Sequence, residues 1–109
     1  MGVKAIVLSA DDNVAVVLDE VKAGGIVLAG KQTFKANENI PRGHKISIEL
    51  ISENEMIRKY GLVIGRASRR IEPGDWVHSH NVIDITEELC DAYAKAYRAK
   101  NQEEDYGNV

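Results

Sequence analysis

Up to residue 83, apolar positions come in short runs broken by polar or glycine-bearing turns. Lys4-Ala5-Ile6-Val7-Leu8 is apolar and β-prone and reads as a buried strand. A polar turn, residues 9–13, follows it, with Asp11, Asp12 and Asn13 in sequence. Residues 14–18 form a second apolar run, either a strand or a short helix entry. Ile26-Val27-Leu28 is a third, bounded by Gly24-Gly25 and Gly30, and the alternating residues 32–36 suggest a fourth. In residues 45–50, Ile46, Ile48 and Leu50 face one way and Lys45, Ser47 and Glu49 the other, the pattern of a half-buried strand. Residues 51–55 read as a polar connection. Residues 56–60 and 62–67 read as two short strands meeting at a kink at Gly61. Residues 76–81 read as a further strand.

An irregular repeat, apolar-x-x-Gly-x-x-apolar, underlies these runs. It occurs at residues 21–27, 40–46 and 71–77, around Gly24, Gly43 and Gly74. Each copy predicts a tight corner that needs a permissive glycine and leads into a strand. After Ile83 the period changes. Asp84-Ile85-Thr86-Glu87 fits a capping box with Asp84 as N-cap. Ile85, Leu89, Ala92, Tyr93, Ala96 and Tyr97 then fall on one helical stripe, with acids early and bases late, as the helix dipole favours. A helix over residues 86–100 is predicted, packing on the β domain or on a second copy of the chain. Residues 101–109 should fray.

The chain has 109 residues, enough for one small core, and a net charge of −3 leaves no electrostatic footprint for nucleic acid or an anionic membrane. No run is long enough to span a bilayer, and the first residues start a strand rather than a signal peptide. A single cysteine, Cys90, rules out an internal disulfide framework and fits a reducing compartment, so a cytoplasmic location is expected.

The chemistry concentrates in three histidines, all at or just past glycine turns. His78 and His80 share one face if residues 76–81 are a regular strand, with Trp76 on that face and Ser79 on the other. Imidazoles two strand positions apart, about 6–7 Å at Cβ, can reach one metal ion or one carboxylate. The same spacing also fits two exposed histidines on an edge strand. His44 follows Gly43 just as the histidine strand follows Gly74 and could join the pair or simply fill its turn. Ser79 is badly placed for a Ser–His pair, and Asp11 and Asp12 are adjacent rather than opposed across a cleft. Lys45 beside His44 could bind a carboxylate or be solvated. Trp76 reads as a core residue or a pocket wall.

Pro41-x-Gly43-His44-Lys45-Ile46, Ile57-x-Lys59-Tyr60-Gly61-x-x-Ile64-Gly65-x-Ala67 and Gly74-x-x-Val77-His78-x-His80-Asn81 together carry a family resemblance. Over residues 4–83 the chain resembles the N-terminal SAF-type domain of the altronate/galactarate dehydratases, the UxaA family. That domain also occurs as the free-standing alpha subunit of sulfolactate sulfo-lyase. The resemblance implies a mainly β, SAF-type β-clip domain over residues 1–83, followed by the C-terminal α-helix and tail of residues 84–109. It implies elimination of water or sulfite from a sugar acid or related hydroxy acid, with ferrous iron or manganese as the divalent metal. It also implies a large catalytic subunit as partner, without which the chain should be inactive. On that basis His78 and His80 are expected as metal or substrate ligands, and His44 as a ligand or an acid–base group. Lys45 and Asn81 are expected to hold the acid's carboxylate and hydroxyls. The alternative is a non-catalytic SAF module for carbohydrate binding or assembly.

Overall fold

The computed structural model describes residues 2–85, residue 91 and residues 94–96. The fold is mainly β. The strands are β1 (Val3–Ile6), β2 (Val14–Val17), β3 (Ile26–Ala29), β4 (Gln32–Lys35), β5 (Lys45–Ser47), β6 (Met56–Lys59), β7 (Leu62–Ala67), β8 (Trp76–Val77) and β9 (Val82–Ile83). Six form a sheet in the order β4-β3-β1-β2-β5-β8, and three form a second in the order β6-β7-β9. Among the described residues only the β1–β3 pair is parallel.

The large sheet carries a core on each face. Ala5, Ala15, Val17, Val27, Ala29 and Ile46 point to one side. Val14 and Val77 point to the other, where Ile51, Ile57, Ala67 and Ile71 of the second unit cover them. This double coverage explains why residues 14–17 read as an unbroken apolar run, and it settles that run as strand rather than helix entry. It also corrects the reading of residues 45–50. β5 ends at Ser47, which is fully buried although it was expected to face solvent, while Leu50 is exposed. The pattern of one strand does not reveal that a second sheet lies over its polar face.

The repeated corner is the joint of the fold, and it occurs four times. In three copies Gly24, Gly43 and Gly74 have φ of 86°, 80° and 96°. The fourth lies in residues 51–57, where a polar connection is expected over residues 51–55, with Asn54 at φ 71° in place of glycine. Asparagine is the residue that best tolerates the left-handed region after glycine. Each corner closes with one backbone bond from the amide of Gly25, His44, Glu55 or Asp75 to the carbonyl three residues earlier. Their first positions pair as antiparallel bridges, Val21 with Ile40 and Ile51 with Ile71. The three isoleucines at these positions are 0% exposed, and each such burial is worth about 1.5–3 kcal/mol.

At Gly61 the structure has a hairpin turn rather than a kink, with Tyr60 at φ 61° and Gly61 at φ 73°. Asp12 holds this turn. Its carboxylate accepts hydrogen bonds from the backbone N–H groups of Ser9 (3.0 Å), Tyr60 (2.7 Å) and Gly61 (2.8 Å). Asn13 beside it donates to the Met56 carbonyl (3.0 Å) and accepts from the Arg58 amide (2.8 Å). These two buried side chains bind the second sheet to the first.

Of the expected C-terminal helix, Asp91 and residues 94–96 are helical; Asp91, Lys95 and Ala96 are exposed. The rest of that helix, Cys90 and residues 101–109 lie outside the described residues.

Candidate functional site

The corners around Gly43 and Gly74 meet edge to edge. β5 pairs with β8 so that Lys45 lies opposite Val77 and Ile46 opposite Trp76. Trp76 therefore stands on the face of Ile46 and packs, half-buried, against the first core. His44, the residue before β5, comes against it. The indole Nε1–H donates to His44 Nδ1 at 3.2 Å. His78 stacks on the indole at 5.2 Å between centroids with 7° between planes. His80 lies 5.2 Å from the indole at 45°. The His44 and His78 rings are 4.9 Å apart. The three histidines thus gather around one tryptophan.

They do so without the long strand expected over residues 76–81, which stops at Val77. Residues 78–81 form a turn in which the Asn81 amide donates to the His78 carbonyl at 3.0 Å. The Asn81 side chain ties the turn down: Oδ1 accepts from the His78 amide (2.9 Å) and Nδ2 donates to the Trp76 carbonyl (2.8 Å). These backbone bonds end the pairing of β8 and turn the chain back into β9. Asn81, expected to bind substrate, is 3% exposed and has a framework role here. His78 and His80 are exposed on the turn it holds.

Lys45 also stands apart from the histidines. It lies opposite Val16 and Val77, on the face covered by the second sheet, whereas Trp76 and His44 occupy the other face. Burial lowers the pKa of its ammonium from the usual lysine value, and the nearby charge of Lys59 lowers it further. No ion pair to Lys45 or Lys59 is formed among the described residues.

The described residues do not by themselves make up a complete metal site. Among the described residues no group of three His, Cys, Asp or Glu side chains is placed to hold an ion. His44 Nδ1 already accepts the indole hydrogen bond. His78 and His80 remain as donors, and two nitrogens leave most of a coordination sphere to be filled from elsewhere.

One contact and one residue of the site are not legible in the sequence. Alternation puts Trp76 on the face of His78 and His80, as a core residue or a pocket wall, but does not put its N–H on His44. Glu38 anchors the site from below by accepting the Trp76 backbone amide at 3.1 Å. The spacing of the corners is the signal that could have placed Trp76 beside His44; for Glu38 the sequence carries none.

Residues 3–84 match the SAF domain of the altronate/galactarate dehydratases. The chain belongs to this family. Altronate dehydratase of Bacillus subtilis (strain 168) is 35% identical over 97 residues, covering 89% of this chain and 19% of the relative. The (2R)-sulfolactate sulfo-lyase subunit alpha of Chromohalobacter salexigens is 37% identical over 89 residues, covering 75% of this chain and 95% of that subunit. Galactarate dehydratase (L-threo-forming) of Escherichia coli (strain K12) is 38% identical over 74 residues, covering 66% of this chain and 14% of the relative. The chain thus spans about a fifth or less of the dehydratases it matches and nearly all of the sulfo-lyase subunit. His44, Trp76, His78 and His80 all fall inside the SAF-domain match.

Proposed function

We propose that this SAF domain is the small subunit or N-terminal part of a sugar-acid or hydroxy-acid lyase, and that it contributes the histidine cluster to a site completed by a large catalytic subunit. The observation that carries this reading is the gathering of His44, His78 and His80 on Trp76, two of them exposed, within a family-matched span. Exposed imidazoles beside an indole can take a proton or a metal while the apolar surface orients a ligand. Ferrous iron or manganese would be held by His78 and His80 only together with ligands from the partner. When bound it would polarise an oxygen of the acid. This chain's own residues would position the acid against the indole and handle its charge and protons. Lys45 and Lys59, on the opposite face, would meet an acidic group of the partner or of a second ligand.

The test mixes the chain with the large subunit of the same source and either metal, and assays elimination from altronate, galactarate and sulfolactate. We expect turnover from the mixture and none from the chain alone. Turnover by the isolated chain, or a large subunit fully active without it, would refute the two-part site.

A second reading, a carbohydrate-binding module, draws on the half-buried indole and on the absence of a three-donor metal group among the described residues. It predicts sugar-acid binding by the isolated chain and no change in the partner's turnover.

A further inference from the structure

We infer that Trp76 is a positioning residue that holds His44 as the Nε2–H tautomer, so that His44 offers a hydrogen-bond donor to an anionic oxygen and not a lone pair to a metal. The ligand half of this statement rests on the lyase reading above; the tautomer does not.

The argument starts from what each ring can do. An indole N–H only donates. The atom 3.2 Å from it, His44 Nδ1, must therefore accept and carries no proton. A neutral imidazole has one protonated and one bare nitrogen, so its proton sits on Nε2. A metal bound at Nε2 would need that nitrogen bare as well. With Nδ1 still accepting from the indole, the ring would then be an imidazolate anion. His44 can serve as an Nε2 ligand only by breaking the Trp76 bond and moving its proton.

The indole is poorly free to let that happen. Its backbone amide is held by Glu38 Oε2 at 3.1 Å and its carbonyl by Asn81 Nδ2 at 2.8 Å. One part of the side chain packs on the first core and one face is stacked on His78. Among the described residues nothing accepts from His44 Nε2. The half-buried ring thus keeps one donor for an outside partner. In an elimination beside a carboxylate, negative charge grows on the acid's oxygens as the neighbouring proton leaves. A fixed neutral imidazole donor suits such an oxygen, and it needs no reorganisation to do so. The three imidazoles are then not equivalent: His44 donates, and His78 and His80 keep the nitrogens available to an ion.

The tautomer is read from long-range 1H–15N spectra of the full chain labelled at histidine nitrogen. These are taken at about pH 8.5, where free imidazole is neutral, with and without zinc as probe. Trp76→Phe is the comparison, since it keeps a ring against the core and His78 but has no N–H. In the wild type we expect His44 with bare Nδ1 and protonated Nε2, unaltered by zinc. In Trp76→Phe part of His44 should move its proton to Nδ1 and its Nε2 should respond to zinc. Protonated Nδ1 in the wild type, zinc on its Nε2, or identical spectra for the two proteins would overturn the inference.

The donor role is read in the complex with the large subunit, on galactarate. His44→Ala should lose about 100-fold in kcat. His44→Gln, whose amide can accept from Trp76 and still donate, should recover about tenfold of that loss. Equal loss in both would overturn the donor role. A chain with the expected spectra that never raises the partner's turnover would keep the tautomer and lose the lyase reading.

Discussion

Two polar clusters of this small fold are built to opposite rules. Around Asp12 and Asn13 every named hydrogen bond ends on backbone of the β6–β7 hairpin or its neighbouring turn, and both side chains are almost fully buried. Around Trp76 the groups are aromatic and half-buried or exposed, and only one side-chain bond joins them, from the indole to His44. The first cluster closes on itself; the second keeps capacity for a ligand. A buried polar group with all its partners inside the chain is a fastening. Imidazoles left with open nitrogens at the surface can take a ligand. Asp12, in the turn that the sequence sets aside as a catalytic pair, belongs to the fastening.

The largest effect should come from breaking the fastening. Asp12→Ala leaves three backbone N–H groups without their acceptor and releases Tyr60 from its left-handed turn. We expect a loss of about 3 kcal/mol or more in thermal or urea melts. The same contrast has a pH signature. Burial alone would raise the Asp12 pKa, but the hydrogen bonds from Gly61, Tyr60, Ser9 and Leu8 outweigh it and hold the carboxyl below its ordinary range. A carboxyl lowered by folding stabilises fully above its unfolded value of about 3.9 and loses that contribution as pH falls through the folded value. Acid melts of the wild type should steepen below about pH 4, and Asp12→Asn should flatten that slope. An unchanged slope would mean that the carboxylate is not a fastening.

Next in size, Trp76→Ala should cost about 1–2 kcal/mol, since the indole is only partly buried, and should release all three histidines from their common support. Nitrogen shifts of the three rings would then move together. Shifts confined to His78 would break the picture of a shared cluster.

How much of this was legible follows from the same contrast. Turns that need glycine announce themselves, so three corners, and with them the placement of His44 ahead of β5, could be read from Gly24, Gly43 and Gly74. The fourth was hidden because Asn54 does the work of glycine without its letter. Alternation suggested a strand over residues 76–81, but the bonds from the Asn81 side chain to the backbone of Trp76 and His78 cut it short. The histidines still meet, for a reason other than strand parity: β5 and β8 lie side by side and all three rings lie against Trp76. Lys45 shows the limit of adjacency in sequence. It neighbours His44 in the chain and faces the other side of the sheet. Ser47 is buried although alternation points it outward, because burial by a distant hairpin leaves no local mark.

The smallest predicted effect lies at Lys45. Folding lowers the pKa of its ammonium, first by burial and then by the charge of Lys59, so the charged form is disfavoured in the fold. That penalty is present at neutral pH and is relieved as pH rises through the lowered value. For a half-exposed group it is worth a few tenths of a kcal/mol after screening. Lys45→Met should therefore melt at or slightly above the wild-type temperature at pH 7. A lower melting temperature would mean that Lys45 has a stabilising partner and belongs with the fastening.

The central claim, that the histidine turn acts and the Asp12–Asn13 pair holds, is tested most directly by the double variant His78→Ala/His80→Ala in the reconstituted complex. Both side chains are exposed, so the melt should stay within about 0.5 kcal/mol of wild type. Sedimentation should show the complex with the large subunit intact, while turnover of galactarate or sulfolactate falls by about 100-fold or more. Wild-type turnover in an assembled complex lacking both imidazoles would contradict the account.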